Sequence, residues 1–214
     1  MLHPDLQTAD AIASLQSRWR ACASLRLEPF LAPDTASGLL TTLRRQPFTL
    51  MATVSPNLSF QYYSFALRPD DVCDHVLCDF GRWMWTDFAR WMSSWTGLEL
   101  APPTDRLLQS SLYTKGCYLD PHNDWDGQRQ VAFIIGLTPS PPEPRNGGHL
   151  EFLTTGAEGV QLAERRAPGW NTLDVFDVRE PVRLHRIPLV TEPVERRAIS
   201  GWLYPAAGDA RFGS

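Results

Sequence analysis

The chain has 214 residues, 43% hydrophobic and 21% charged, with a formal net charge of -4. That is the composition of an ordinary globular protein long enough for one well-buried domain, and it gives no basic footprint for nucleic acid. No apolar run approaches the ~20 residues that cross a bilayer, and Met1–Asp5 lacks the basic-then-apolar pattern of a secretory signal, so neither a membrane nor a secreted setting is expected.

In chain order, Ile12, Leu15, Trp19 and Cys22 recur at helical spacing, which predicts a helix over 8–25 with Thr8 or Asp10 as its cap. A short extended stretch from Leu27 to Leu31 follows, then a helix from Asp34 through Leu43. Thr49–Val54 and Ser59–Leu67 read as two strands about the turn residues Ser55, Pro56 and Asn57. A long helical region from Asp70 to Trp95 is predicted to break at Gly81 and close at Gly97. Its stripe of Met84, Phe88, Trp91, Met92 and Trp95 is the pattern of a face packed on a sheet rather than a ligand platform.

Beyond Arg106 the pattern changes to short strand candidates between Gly/Pro turns: 107–118, 130–137, 149–153, 173–178, 182–190 and 196–204. Closely spaced strands without intervening helices indicate a sandwich or jelly roll. The prolines of Thr138–Gly148 make a stiff connection. The expectation is a mainly β fold, with one domain over 1–214. Residues 1–105 form a helix-rich support and 106–204 the jelly-roll core. Cys22, Cys73, Cys78 and Cys117 form no C-x-x-C pair, and are read as four reduced thiols of a cytoplasmic protein.

The chemistry is concentrated in the second half. His122 and Asp124, two apart on a strand, point to one side of the sheet. With one distant histidine, His185, they make the two-His-one-carboxylate triad that leaves open positions on non-haem Fe(II). H-x-D alone is common by chance; an arginine shortly after His185 strengthens it, because a fixed cation can hold a dicarboxylate cosubstrate beside the metal. Arg196 and Arg197 cannot both face the site. Arg196 shares its face with Ala198, Ser200 and Trp202, whose small members leave room for a bound molecule, and the Ser200 hydroxyl can donate to a carboxylate. Arg196 is therefore chosen and Arg197 placed outside or at the rim.

These residues resemble the prolyl-hydroxylase-like 2-oxoglutarate and Fe(II)-dependent oxygenases, closest to the branch that hydroxylates a prolyl residue of a ribosomal protein. The likeness runs from about Leu112 to Tyr204. It is carried by His122-Asn123-Asp124 with Arg129, Gly147-Gly148-His149-Leu150, Pro168 through Leu173 leading to Phe176, His185, and Arg196 through Trp202. It implies a double-stranded β-helix with His122, Asp124 and His185 on iron, and Arg196, six residues before Trp202, on the distal carboxylate of 2-oxoglutarate. Phe30-Leu31 matches the family's N-terminal region. Where many relatives place a second carboxylate-binding tyrosine, this chain has Gly136, and Tyr113 is the candidate substitute.

The activity implied is a dioxygenase that hydroxylates an unactivated C–H bond, using Fe(II), 2-oxoglutarate and O2, with ascorbate an optional reductant. An intact Asp124 favours hydroxylation over halogenation. The substrate expected is a prolyl residue of a protein or peptide; a free amino acid or natural-product intermediate is the alternative. Trp202, Arg129 and Trp125 are candidate substrate contacts, with the loop Trp125–Gln128 and the strands near Ser59–Phe65 setting the choice. A non-catalytic cupin-like module and a zinc hydrolase are the readings from other classes. His3 is read as terminal and disordered, His75 as a helix-surface residue and His149 as strand-borne, with nearness to the site left open and no role assigned. Oligomeric state is left open.

Overall fold

The computed structural model describes residues 1–68, 75–103, 107–156, 159–179 and 183–206. Its helices come first: α1 (Ala9–Cys22), capped by the Thr8 hydroxyl on the Ala11 N–H, and α2 (Pro33–Leu43), which opens on a proline. Later come α3 (Val76–Trp83) and α4 (Ala89–Thr96), joined by a π-helical turn at Met84–Phe88. The predicted break at Gly81 is not there. Gly81 lies inside α3, where a Cβ would meet Leu67 at 2.9 Å and Trp85 at 3.2 Å, so it is a close-approach glycine. The helix does close at Gly97, at φ +73°. The expected start at Asp70 lies outside the described residues.

Among the described residues, twelve strands form one antiparallel sheet: β1 (Ser24–Leu27), β2 (Thr49–Val54), β3 (Ser59–Leu67), β4 (Leu100–Ala101), β5 (Leu108–Tyr113), β6 (Tyr118–His122), β7 (Val131–Leu137), β8 (Leu150–Gly156), β9 (Gly159–Arg166), β10 (Trp170–Asp177), β11 (Leu184–Ile187) and β12 (Arg196–Pro205). The order is β1-β10-β7-β12-β5-β3-β6-β11-β8-β9, with β2 on β3 and β4 on β12. The sheet curls until its ends approach: Arg166 of β9 donates to the Leu25 carbonyl and the Ser24 hydroxyl of β1. This is the mainly β jelly roll with supporting helices that the sequence predicts. The support region is less separate than expected, because β1, β2 and β3 all come from before residue 105 and β3 sits between β5 and β6.

Two apolar cores follow from strand alternation. The outer face of the roll (Val131, Phe133, Ile135, Leu137, Ile199, Leu203) packs on the helices, with Met84, Phe88, Met92 and Trp95 of the predicted stripe fully buried. The inner face contributes Tyr113, Ala132, Leu150, Phe152 and Phe176 to a second cluster around the site. Phe30 and Leu31, both 0% exposed, are fastened to β10 by Asn171. That residue sits in a bulge at φ +55°, and both ends of its side-chain amide bond Leu31.

Two further expectations need correction. Cys78 is disulfide-bonded, so four reduced thiols is not the state of this structure; Cys22 and Cys117 are free. Cys73 lies outside the described residues. His3 is not disordered: its N–H donates to the Phe30 carbonyl at 2.8 Å. Among the described residues, no helix is long and apolar enough to cross a membrane.

Candidate metal and cosubstrate site

Strand pairing brings the three candidate ligands together. His122 ends β6, and its register partner on β11 is His185. Asp124 stands just past the end of β6, so the H-x-D pair straddles a strand terminus rather than lying wholly on a strand. His122 Nε2 is 3.6 Å from Asp124 Oδ1, and His185 Nε2 is 3.4 Å from Asp124 Oδ2. The candidate ligand atoms all lie within 4.8 Å of one another. The Asp120 carbonyl, 2.9 Å from His122 Nδ1, fixes that ring with its other nitrogen toward the group. Phe176 packs edge-on against His185 at 5.0 Å.

The electrostatics suit a cation. Burial pushes His185 down to about 4, the Asp124 charge offsetting only part of this, so its imidazole is neutral at physiological pH. For Asp124, burial acts upward but is outweighed by the His122 hydrogen bond and the charges of both histidines, which hold the carboxyl below its ordinary value. Burial lowers His122, yet its hydrogen bond and charge interaction with Asp124 leave it raised. Two imidazoles and one carboxylate, with no thiolate in the group, are a nitrogen–oxygen donor set appropriate to Fe(II).

All three ligands line a cavity of about 540 Å³, and so does Arg196. Arg196 is 5% exposed and, among the described residues, has no carboxylate within ion-pair distance and no partner for its buried Nε. Burial lowers its pKa, as expected of a desolvated cation. Leaving such a group unpaired costs several kcal/mol, so the site is built for an anion that is not part of the chain. Tyr113, register partner of Arg196, places its ring 4.9 Å from the guanidinium and stacks on Tyr62 at 5.2 Å. Ser200 and Trp202 also line the cavity, on the Arg196 face. Arg197 is on the opposite face, as alternation requires, but it is buried rather than at the rim. Gly136 is on the inner face with Ala132 and Ile134, but it is closed off by Thr172 and Gly169. A Cβ there would meet Thr172 Oγ1 at 2.4 Å, so this position has no space for a tyrosine.

The candidate substrate contacts divide. Arg129 lies 3.7 Å over the Trp202 ring, and it donates to the Asp124 carbonyl and pairs with Asp126. It is committed to the loop that carries Asp124. Trp125 is 40% exposed and is not in the cavity wall. Phe60 and Tyr62 of β3 are in the wall and were not singled out individually by the sequence. Their i, i+2 spacing was the available signal. His149 stands just before β8 rather than on a strand; it is buried, with its Nδ1 3.0 Å from the Gly147 carbonyl, and it is not in the cavity wall. His75 stands at the N-terminus of α3, half-buried.

Residues 108–204, slightly under half of the chain, match the 2OG-Fe(II) oxygenase superfamily. Its similar proteins include prolyl hydroxylases. The chain is 32% identical over 124 residues to "Prolyl 3-hydroxylase OGFOD1" of Mus musculus, covering 56% of this chain and 22% of that protein. It is 30% identical over 102 residues to "Prolyl 3,4-dihydroxylase OGFOD1" of Ostreococcus tauri, covering 44% and 20%. The chain thus spans about a fifth of the length of these relatives. Among solved structures, a Pseudomonas putida prolyl-4-hydroxylase matches with a TM-score of 0.66 at 19% identity, over 90% of this chain and 98% of that one. A Trichoplax adhaerens prolyl hydroxylase, solved with a hypoxia inducible factor peptide fragment, matches at 0.67 and 15%, over 91% and 89%. These structural likenesses show the fold.

Proposed function

We propose that the chain is a 2-oxoglutarate- and Fe(II)-dependent dioxygenase that hydroxylates a prolyl residue of a protein or peptide, with residues 1–214 acting as one oxygenase domain. One observation carries the reading: His122, Asp124 and His185 converge in the wall of the same cavity as a buried, unpaired Arg196. In this reading His122, Asp124 and His185 would hold the iron, a donor set suited to ferrous ion. Iron held there would supply the chemistry that couples decarboxylation of 2-oxoglutarate by dioxygen, to succinate and carbon dioxide, with transfer of one oxygen atom to the C–H bond.

The chain's own residues do the rest. Arg196 takes the distal carboxylate through its planar fork. Tyr113 stays protonated because burial raises its pKa, and it donates its hydroxyl to the same carboxylate, as does Ser200. Ile134, Leu150 and Phe176 keep water from this end of the cavity. Trp202 and the Phe60–Tyr62 face form the substrate wall, Arg129 holds the Asp124 loop against Trp202, and Trp125 is the outer lip. The prolyl assignment rests on the identity with the Mus musculus and Ostreococcus tauri proteins. A cytoplasmic location is part of the proposal, on the ground that ferrous iron persists in a reducing compartment; anaerobic alkylation of the native protein would show whether the Cys78 disulfide exists there.

The test is incubation with Fe(II), 2-oxoglutarate, ascorbate and air against ribosomal and translation-factor peptides and, separately, free amino acids. Succinate release matched by gain of one oxygen at a peptide proline is the expected result. Coupled turnover on a free amino acid alone would refute the peptide assignment.

A further inference from the structure

The helix-covered face of the sheet contains a guanidinium that the reaction does not use. Strand alternation puts Arg197 in the row of Ile199 and Leu203, both part of the core between sheet and helices. Arg197 is only 7% exposed. Its Nε donates to Glu195 at 3.2 Å, and the group lies 5.4 Å from the Phe48 ring centre. Its Nη1 is buried and has no hydrogen-bond partner among the described residues. A charged donor left in that state is costly, and burial this deep on an apolar face calls for a ligand.

Arg197 lines a cavity of about 200 Å³ on the opposite side of β12 from the iron site. Leu40, Leu137, Pro139 and Val194 give this cavity apolar walls. Arg44, exposed at the end of α2, brings a second cation, and Ser140 a hydroxyl. The one carboxylate in the lining, Glu195, has a side chain 53% exposed and occupies only the Nε edge of the guanidinium.

We propose that this cavity is a second anion site, and that its ligand is a carboxylate on a short apolar chain. The Nη side of the Arg197 guanidinium can donate to a carboxylate, as the charge and planarity of the group favour. Arg44 adds attraction at the mouth, and the four apolar walls take the hydrocarbon part. At roughly 30 Å³ per liquid water the cavity has room for a molecule of that size. Inorganic phosphate would satisfy the cations but leave the apolar walls wetted, which is why a carboxylate is assigned. Arg196 faces the other way, so the two sites are separate.

The test is a titration of the full chain, labelled with 15N, with butyrate and separately with inorganic phosphate. It follows the Arg197 Nε–H resonance and the methyl groups of Leu137 and Val194. A saturable shift is expected, reached at lower concentration with butyrate than with phosphate. Glu195→Gln, which removes the competing carboxylate, should tighten butyrate about threefold. Arg197→Met should abolish the methyl shifts, and Arg196→Met should leave them. Flat titrations of both the wild type and Glu195→Gln would overturn the proposal, as would shifts that persist in Arg197→Met. Equal affinity for phosphate would overturn the carboxylate assignment. If Arg197→Met does not fold, the Glu195→Gln comparison decides alone.

Discussion

Replacing Arg196 by methionine should move cosubstrate binding and protein stability in opposite directions. In the ligand-free chain, Arg196 is 5% exposed with its Nε unpartnered, so its charge has been taken out of water without compensation. Exchanging a buried charge for an apolar side chain of similar length is neutral to stabilising, by about 1–4 kcal/mol. The same exchange removes one partner of the buried pair that 2-oxoglutarate would complete. That truncation costs on the order of 3–5 kcal/mol, or about two to three and a half decades in Kd. Calorimetric titration with 2-oxoglutarate in the presence of Fe(II) under anaerobic conditions gives the affinity, and thermal melts of the metal-free protein give the stability. Iron affinity without cosubstrate should be unchanged, because Arg196 is not among the candidate ligands. Wild-type 2-oxoglutarate affinity in Arg196→Met, with loss in Arg197→Met instead, would refute the face assignment and the reasoning built on it.

Other substitutions test the rest of the site. Asp124→Ala should abolish Fe(II) binding while leaving the fold, seen as lost metal-induced stabilisation beside an intact melt. Arg129→Gln releases the Asp124 carbonyl and the Trp202 ring, and should weaken iron binding about 10–100-fold, read by competition with a metal-sensitive dye. Binding of Co(II), a redox-stable probe, should strengthen as pH rises, with release of one proton at a pH above the ordinary imidazole value. His122 is raised by Asp124 and must deprotonate to ligate, whereas His185, held near 4, is already neutral. Proton release centred well below that value would mean that Asp124 does not act on His122 as described. Gly136→Ala forces a Cβ to 2.4 Å from Thr172 Oγ1, and should destabilise the protein by about 1–3 kcal/mol in a denaturant melt.

Much of this architecture is legible in the sequence where periodicity is strong. Thr49–Val54 and Ser59–Leu67 are strands with the predicted bounds, and the stripe from Met84 to Trp95 is core. Arg196 could be separated from Arg197 because a strand has only two faces. What was not legible is mostly non-local. The placement of β3 between β5 and β6, which carries Phe60 and Tyr62 into the cavity wall, depends on pairings across tens of residues. The strand Gly159–Arg166 was missed because its solvent-facing surface breaks the apolar pattern; it is exposed along nearly its whole length. The start of β1 was absorbed into the preceding helix, since Leu25 continues the helical spacing of Trp19 and Cys22. Arg197 is the instructive error: a charge was expected at the surface, and the fold buries it.

Anaerobic addition of 2-oxoglutarate to the Fe(II)-loaded protein tests the central claim most directly, because the keto-acid chelate on ferrous iron has a weak visible charge-transfer band. Appearance of that band with one equivalent each of metal and cosubstrate, and its absence in Asp124→Ala, is the expected result. A wild-type protein that binds both components yet shows no band would contradict the placement of 2-oxoglutarate beside a His122–Asp124–His185 iron.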